Sequence, residues 1–274
     1  MSNRNSLKSK LVASPYIVWS VLFIVAPLIF VVYYSFTDAS GAFTFENIMA
    51  LSKYTPTFLR SIWFGIVATL ICLVIAFPLA YFISQSTEKV QRTMVMLVML
   101  PMWMSFLIRT YSWMALLQDT GIINSLLGKI GIDPIHMINT EGAVILGMVY
   151  NFLPYMILPI YSVMAKLDRS MVEACQDLGG NRLTVIRRCI IPMSMPGIVS
   201  GITMVFVPSV STFYISQKLG GGSFDLIGDV IERQFQQSYN YNLGASISLV
   251  LMVLILICMA VMNRFSGDEE GMVI

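Results

Sequence analysis

Two stretches of the sequence hold residue types whose spacing could do chemistry. The first, residues 166–192, reads KLDRSMVEACQDLGGNRLTVIRRCIIP. Ser170 followed three residues later by Glu173 is the pattern of a capping box and predicts a short helix. Gly179 and Gly180 can take the left-handed conformation that ends it. Asn181 can cap a second helix, in which Leu183, Ile186 and Ile190 recur on one face. Pro192 and Pro196-Gly197 then interrupt the chain. The expected product is a helix-turn-helix, basic on one side and apolar on the other. The second stretch follows Phe213 and Tyr214. After Gly220-Gly221-Gly222, residues 225–236 read as an amphipathic helix. Asp225, Asp229 and Glu232 fall on one face at i, i+4 and i+7, with Ile227, Val230 and Ile231 opposite. Three carboxylates on one face would attract a cation, although Asp229 can also pair with Arg233 at i, i+4.

Other chemistry is not indicated. No residue set suggests catalysis. Cys72, Cys175, Cys189 and Cys258 show no CxxC spacing, and His136 stands without neighbours of metal-ligand type, so no metal site is expected. No GxxxxGK[ST] phosphate loop occurs, so the chain is not expected to hydrolyse a nucleotide itself. A net charge of +2 without a basic, aromatic-studded patch argues against nucleic acid as a partner.

The elements that must position these residues are membrane helices. Apolar residues make up 57% of the 274, and charged residues only 12%, about half the share in soluble domains. A bilayer core about 30 Å thick needs roughly 20 apolar residues in a helix. Six runs meet or approach that length: about 15–36, 61–84, 93–113, 141–164, 195–216 and 244–263. The predicted fold is therefore an all-α polytopic membrane protein with six transmembrane helices, in a single domain over 1–274. The first run is too long for the apolar core of a signal peptide and reads as a retained span. Placing the N-terminus in the cytoplasm puts eleven Lys and Arg inside (Arg4, Lys8, Lys10, Lys89, Arg92, Lys166, Arg169, Arg182, Arg187, Arg188 and Arg264). Six then lie outside: Lys53, Arg60, Arg109, Lys129, Lys218 and Arg233. Both termini are thus expected in the cytoplasm, and loop 166–192 with them. No span is expected to hold an ionisable residue at its core, with Arg109 near the outer end of the third, which argues against a proton-coupled carrier.

The loop carries a resemblance. Glu173-Ala174-Cys175-Gln176-Asp177-Leu178-Gly179, nine residues, then Cys189-Ile190-Ile191-Pro192 resembles the EAA loop of ABC importer permeases. That pattern is EAA, three residues, Gly, nine residues, then I-x-L-P. Cys175, Cys189 and Ile191 depart from it, each by a small or apolar replacement, and the spacing is kept. The resemblance implies a type I importer permease fold with a cytoplasmic coupling helix between spans 4 and 5. It also implies that Glu173, Ala174, Asp177, Leu178 and Gly179 form or shape the docking surface for a separate ATPase.

Further segments are similar to spermidine/putrescine permeases, in particular the first of the two permease subunits of that system. They are Trp103 to Trp113, Thr120-Gly121-Ile122-Ile123-Asn124, Phe213-Tyr214-Ile215-Ser216, Leu226 to Ile231, and Gln234-Phe235. Gln217 stands where members of that family often carry an Asp. This resemblance implies an ATP-driven polyamine importer in the bacterial plasma (inner) membrane. The implied partners are a homologous second permease, an ATPase dimer that binds ATP and Mg, and an external polyamine-binding protein. No cofactor belongs to this chain, and Phe213, Tyr214, Asp225, Asp229 and Glu232 would line the substrate pathway. The rival expectations are the same machine with another cargo, such as ferric ion, sulfate or another amine, and a stand-alone channel or secondary transporter.

Overall fold

The computed structural model describes residues 15–177 and 179–270. Every regular element among them is helical, with one isolated bridge between Thr37 and Phe43. Four helices are long and apolar enough to cross a bilayer: Pro15–Ser35 (α1), the run Glu46–Gln85, whose main part is Thr55–Gln85 (α2), Glu141–Met164 (α6), and Tyr241–Met262 within the helix Tyr241–Glu270 (α12). Two bent pairs complete the set. Glu88–Trp103 (α3) meets Phe106–Lys129, made of Phe106–Leu117 (α4) and Ile122–Lys129 (α5), at 88°. Arg182–Met193 (α8) meets Met195–Ser211 (α9) at 68°. Counting each bent pair as one span gives the six expected from the sequence.

The bends correct the sequence reading in two places. The third span, expected to run unbroken over 93–113, is interrupted at Met104 and Ser105, both with extended ψ. Pro101 lies one turn earlier, where a helix loses a hydrogen bond. The fifth span stops at Ser211. Thr212 is extended, Phe213 has φ −132°, and a short helix Tyr214–Leu219 (α10) follows. The expected break at Pro192 does not occur; the helix continues through it to Met193 and turns at Ser194. Two shorter helices complete the order: Arg169–Asp177 (α7) and Ile227–Gln236 (α11).

The described residues divide into two compact units. One combines the chain up to Thr55 with Val230–Leu254. In it, Asn242 donates through Nδ2 to the Thr37 carbonyl at 2.7 Å, and the Ser246 hydroxyl lies 3.1 Å from the Ser35 carbonyl, tying the end of α1 to the start of α12. Most of α1 is exposed and only its last residue, Ser35, is buried, as suits an apolar helix that faces lipid.

The other unit, Pro56–Asp229 with Ile255 onward, holds the larger core, in which Phe64, Ala68, Met148, Met156, Ile160, Val205 and Ile215 are fully buried. Its centre is the pairing of α6 with α9. Gly197 and Gly201 lie on the α9 face against α6. A Cβ on Gly197 would sit 2.8 Å from the Pro159 carbonyl oxygen, and one on Gly201 would sit 2.7 Å from the Met156 sulfur. Two glycines four apart let the backbones approach closely, the small-residue packing that membrane helices use where no hydrophobic force acts between them. The Gly-x-x-x-Gly spacing was present in the sequence and marks this contact.

Candidate functional site

The loop between α6 and α8 forms as a helix-turn-helix, with one change at its start. Asp168, not Ser170, caps α7: its Oδ1 accepts the Ser170 amide at 2.9 Å, and Ser170 takes the second helical position. The Ser170 amide and hydroxyl hold the Asp168 carboxyl below its ordinary value of 3.8. The helix ends in a Schellman motif. Gly179 N–H donates to the Gln176 carbonyl at 2.9 Å and Gly180 N–H to the Cys175 carbonyl at 3.2 Å, with Gly179 at φ +82°. The two glycines serve different needs. Gly179 supplies the left-handed conformation; Gly180 supplies room, since a Cβ there would fall 2.5 Å from the Cys175 oxygen. Asn181 caps α8 as expected, accepting the Thr184 amide at 2.8 Å.

Glu173, Ala174 and Asp177 are exposed on α7, and Leu178 lies outside the described residues. Glu173 also borders a cavity of about 250 Å³ with Tyr81, Ser84 and Gln85 from the end of α2, Met164 at the end of α6, Leu167 just beyond it, and Ile190 from α8. The apolar face expected of α8 splits in two. Ile190 is buried, whereas Leu183 is 73% exposed and Met171 of α7 is also exposed. Leu183 and Met171 are thus large apolar side chains exposed among polar ones at this end of the molecule.

The second region gathers around the break between α9 and α10. The first turn of α11 packs into it: a Cβ on Gly228 would lie 2.4 Å from the Thr212 carbonyl oxygen. The exposed three-carboxylate face expected from the sequence does not form. Asp229 is 6% exposed, accepting the Leu226 amide through Oδ2 at 2.8 Å. Its Oδ1 lies 2.8 Å from the Ser216 hydroxyl, whose single hydrogen is shared with the Phe213 carbonyl at 2.7 Å. Asp229 thus reaches back to the cap position of its own helix, where the helix dipole favours a negative charge. The next free amide of that helix, Ile227 N–H, donates to Ser61 Oγ on α2 at 2.7 Å. Asp225 and Glu232 are partly exposed and have partners of their own.

Phe213 is exposed in the break, and Tyr214 is half-buried behind it. Around Tyr214 the structure assembles residues that the sequence did not single out. Its ring centroid lies 5.9 Å from Phe106 and 6.2 Å from Tyr111, the latter edge-on at 85°. The Lys218 ammonium sits 5.6 Å from the Tyr111 centroid and 5.8 Å from that of Tyr214. Arg109 is the second surprise. It is only 7% exposed, its guanidinium lies 5.9 Å from the Phe106 centroid, and its Nε and Nη1 have no hydrogen-bond partner among the described residues. Arg109 is therefore buried among its protein neighbours in α4, which its place near the outer end of the third span does not foretell. The signals were Lys218 and Tyr214 at i, i+4 on one helix and Phe106, Arg109 and Tyr111 within one turn and a half of another; their meeting is tertiary and has no sequence pattern.

His136, read as isolated, pairs with Asp119 at 2.9 Å on the surface. No group of three metal-ligating residues occurs among the described residues.

Comparison with known proteins bears on the family and on the fold. The family described as the binding-protein-dependent transport system inner membrane component matches residues 2–266. The chain is 38% identical over 232 residues to the spermidine/putrescine transport system permease protein PotB of Haemophilus influenzae, covering 81% of each chain. Against the protein of the same name from Escherichia coli it is 37% identical over 227 residues, covering 79% of this chain and 82% of that one. Among solved structures it is similar to a bacterial ABC transporter involved in the import of the acidic polysaccharide alginate. The TM-score is 0.77 at 18% identity, covering 98% of this chain and 99% of that one, which establishes the shared fold.

Proposed function

We propose, from the premise that this chain belongs to the family of binding-protein-dependent transport system inner membrane components, that it forms one permease half of an ATP-driven polyamine importer. The observation that carries the cargo is the 37–38% identity, over about four-fifths of the chain, to permeases named for spermidine and putrescine. The alginate transporter's likeness carries the fold alone; a second structure similar to this chain is a bacterial alginate ABC transporter in complex with an alginate pentasaccharide-bound periplasmic protein. By the same family logic this chain works with a homologous second permease, an ATPase dimer that binds ATP and Mg, and an external polyamine-binding protein. It lies in the bacterial inner membrane with both termini in the cytoplasm.

The division of labour follows from the two regions. Glu173, Ala174 and Asp177 on α7, with Leu178 and the turn at Gly179, face the ATPase. Exposed Leu183 and Met171 supply apolar area at the same end. Closure of the ATPase dimer moves the loop, and the loop moves α6 and α9, which grow from its two ends. The break at Thr212 and Phe213 leaves the Phe213 ring exposed, an aromatic face where a flexible polycation can be held during passage. Discontinuous membrane helices are tolerated where they line such a cavity. Phe213 and Tyr214 line that path, with Asp225 and Glu232 further along the chain.

The test is reconstitution of the four components in proteoliposomes. ATP-dependent uptake of labelled spermidine or putrescine is the expected result. Uptake of ferric ion or sulfate in place of polyamine would reassign the cargo within the same machine, and full uptake without any ATPase would overturn the class.

A further inference from the structure

We infer that the ring box of Phe106, Tyr111 and Tyr214 is an alkylammonium subsite, and that Lys218 is its tethered occupant, which arriving cargo must displace. The inference rests on the polyamine reading above and specifies how one ammonium of the cargo is received.

The geometry is that of a ligand site with its ligand in place. A primary ammonium on an alkyl stem stands over two tyrosine rings at 5.6 and 5.8 Å, in the angle between planes 85° apart. A third ring, Phe106, closes one side at 5.9 Å from Tyr214. Ring faces attract cations through the quadrupole of the π system, and boxes of this kind are a recurring way to bind organic ammonium groups. The end of a polyamine is the same chemical object as the end of a lysine: a primary ammonium on a chain of methylenes. Whatever holds one will hold the other. Tyr111 is 45% exposed, so the box opens on one side to whatever passes along the exposed face of α4.

The occupant and the box are set on the same rigid base, so the exchange needs only a side-chain rotation. Leu219, the residue after Lys218, packs so tightly against α6 that a Cβ on Gly147 would overlap its side chain. Its carbonyl accepts the Asn139 amide at 2.8 Å. Two residues before Lys218, the Ser216 hydroxyl is held by Asp229. The backbone of α10 is pinned on both sides of Lys218, and the flexible four-carbon stem is the movable part.

Exchange of one ammonium for another leaves the charge of the box unchanged. Arg109, buried beside Phe106 of the same aromatic cluster, makes that constancy matter, because a second resident cation would be repelled. Lys218 therefore keeps the box closed to a cation that cannot evict it. A small, strongly hydrated metal ion gains little from ring faces, whereas an alkylammonium gains as much as the lysine loses.

The test is equilibrium binding of labelled spermidine to the purified permease–ATPase assembly without the binding protein, so that the affinity measured is that of the membrane part. Removing the tethered competitor in K218M should tighten spermidine binding roughly two- to tenfold, as expected when the competent fraction of a site rises. K218R, which keeps a cation over the rings, should stay near the parent. In the K218M background, Y111L should abolish the gain. Unchanged or weaker binding in an assembled K218M complex overturns the inference. Should K218M not assemble, Y111L with Lys218 retained decides: weaker spermidine binding supports the subsite, and unchanged binding overturns it. Failure of the cargo reading is separate, since it shows in the parent, as no ATP-driven spermidine uptake by the four-component system.

Discussion

Ser61 Oγ accepts the backbone amide of Ile227, 166 residues later in the chain, at 2.7 Å. Together with Asp229, which takes the Leu226 amide, it satisfies the first donors of α11 in a fully buried setting. Buried donors left without an acceptor cost about 1–3 kcal/mol each. Ser61→Ala and Asp229→Ala should each lower the thermal midpoint of the purified assembly, by an amount corresponding to roughly that loss. Their uptake defect should not depend on ionic strength. A salt-dependent defect at an unchanged midpoint would mean that Asp229 acts on the cargo through its charge.

Gly179→Val should uncouple transport from ATP hydrolysis. A β-branched residue at φ +82° carries a strain of about 1 kcal/mol or more. The strain falls on the turn that sets α7 against α8. Membrane insertion should persist while uptake falls sharply, and co-purification of the ATPase with the variant reports whether docking itself is lost. Gly180→Ala should harm the loop by a different route, through contact with the Cys175 carbonyl. Normal uptake and normal ATPase recovery in both variants would remove the loop from the coupling path.

The topology expected from the Lys and Arg distribution can be read by thiol labelling in a background lacking Cys72, Cys175, Cys189 and Cys258. Asn124 is unsuitable as a probe position. It is 4% exposed and ties α5 to the following loop, its Oδ1 accepting the Ile135 amide and its Nδ2 donating to the Ile135 carbonyl, each at 2.9 Å. A cysteine at the exposed Ile130 should react with an impermeant reagent added outside, and one at the exposed Arg182 should not. The reverse pattern would invert the orientation.

Acid should loosen the start of α7. The folded-state pKa of Asp168 is depressed, so its contribution is complete at pH values above the ordinary 3.8 and is lost as pH falls through the lower folded value. A spin label at Met171 should therefore show constant mobility from neutral pH down to about pH 5 and rising mobility below about pH 4. Asp168→Ala should show the mobile spectrum at every pH. A label equally immobile in that variant at neutral pH would assign the cap to another group.

Much of the architecture could be read from the chain because its signals are local. Run length fixed six apolar segments, and Asn181 and Gly179 do what their side chains, or lack of one, dictate within a few residues. Asp168 shows where local reading errs: two capping patterns overlap, Asp168 to Ser170 and Ser170 to Glu173, and the sequence alone does not rank them. The helix breaks at Met104–Ser105 and Thr212–Phe213 were missed because apolar composition continues through them, and hydropathy does not register a change of ψ. Asp229 was taken for a surface charge because helical periodicity reports which residues share a face, not what that face meets. The meeting of Lys218 with Tyr111, more than a hundred residues apart, lies wholly beyond periodicity and spacing.

The glycine contacts at Gly197 and Gly201 bear on how force travels. With Pro159 and Met156 seated against them, α6 and α9 have no slack along their contact, so neither can slip past the other without prising the backbones apart. The loop 166–192 joins the ends of these two helices, and a shove there is not absorbed by shear within the pair. It is delivered as tilt. Across the 24 residues of α6, about 36 Å of helix, a sideways step of about 3 Å at the loop becomes a rotation of roughly 5°. The pair behaves as a stiff crank, and any residue that introduced play between Gly201 and Met156 would turn stroke into backlash.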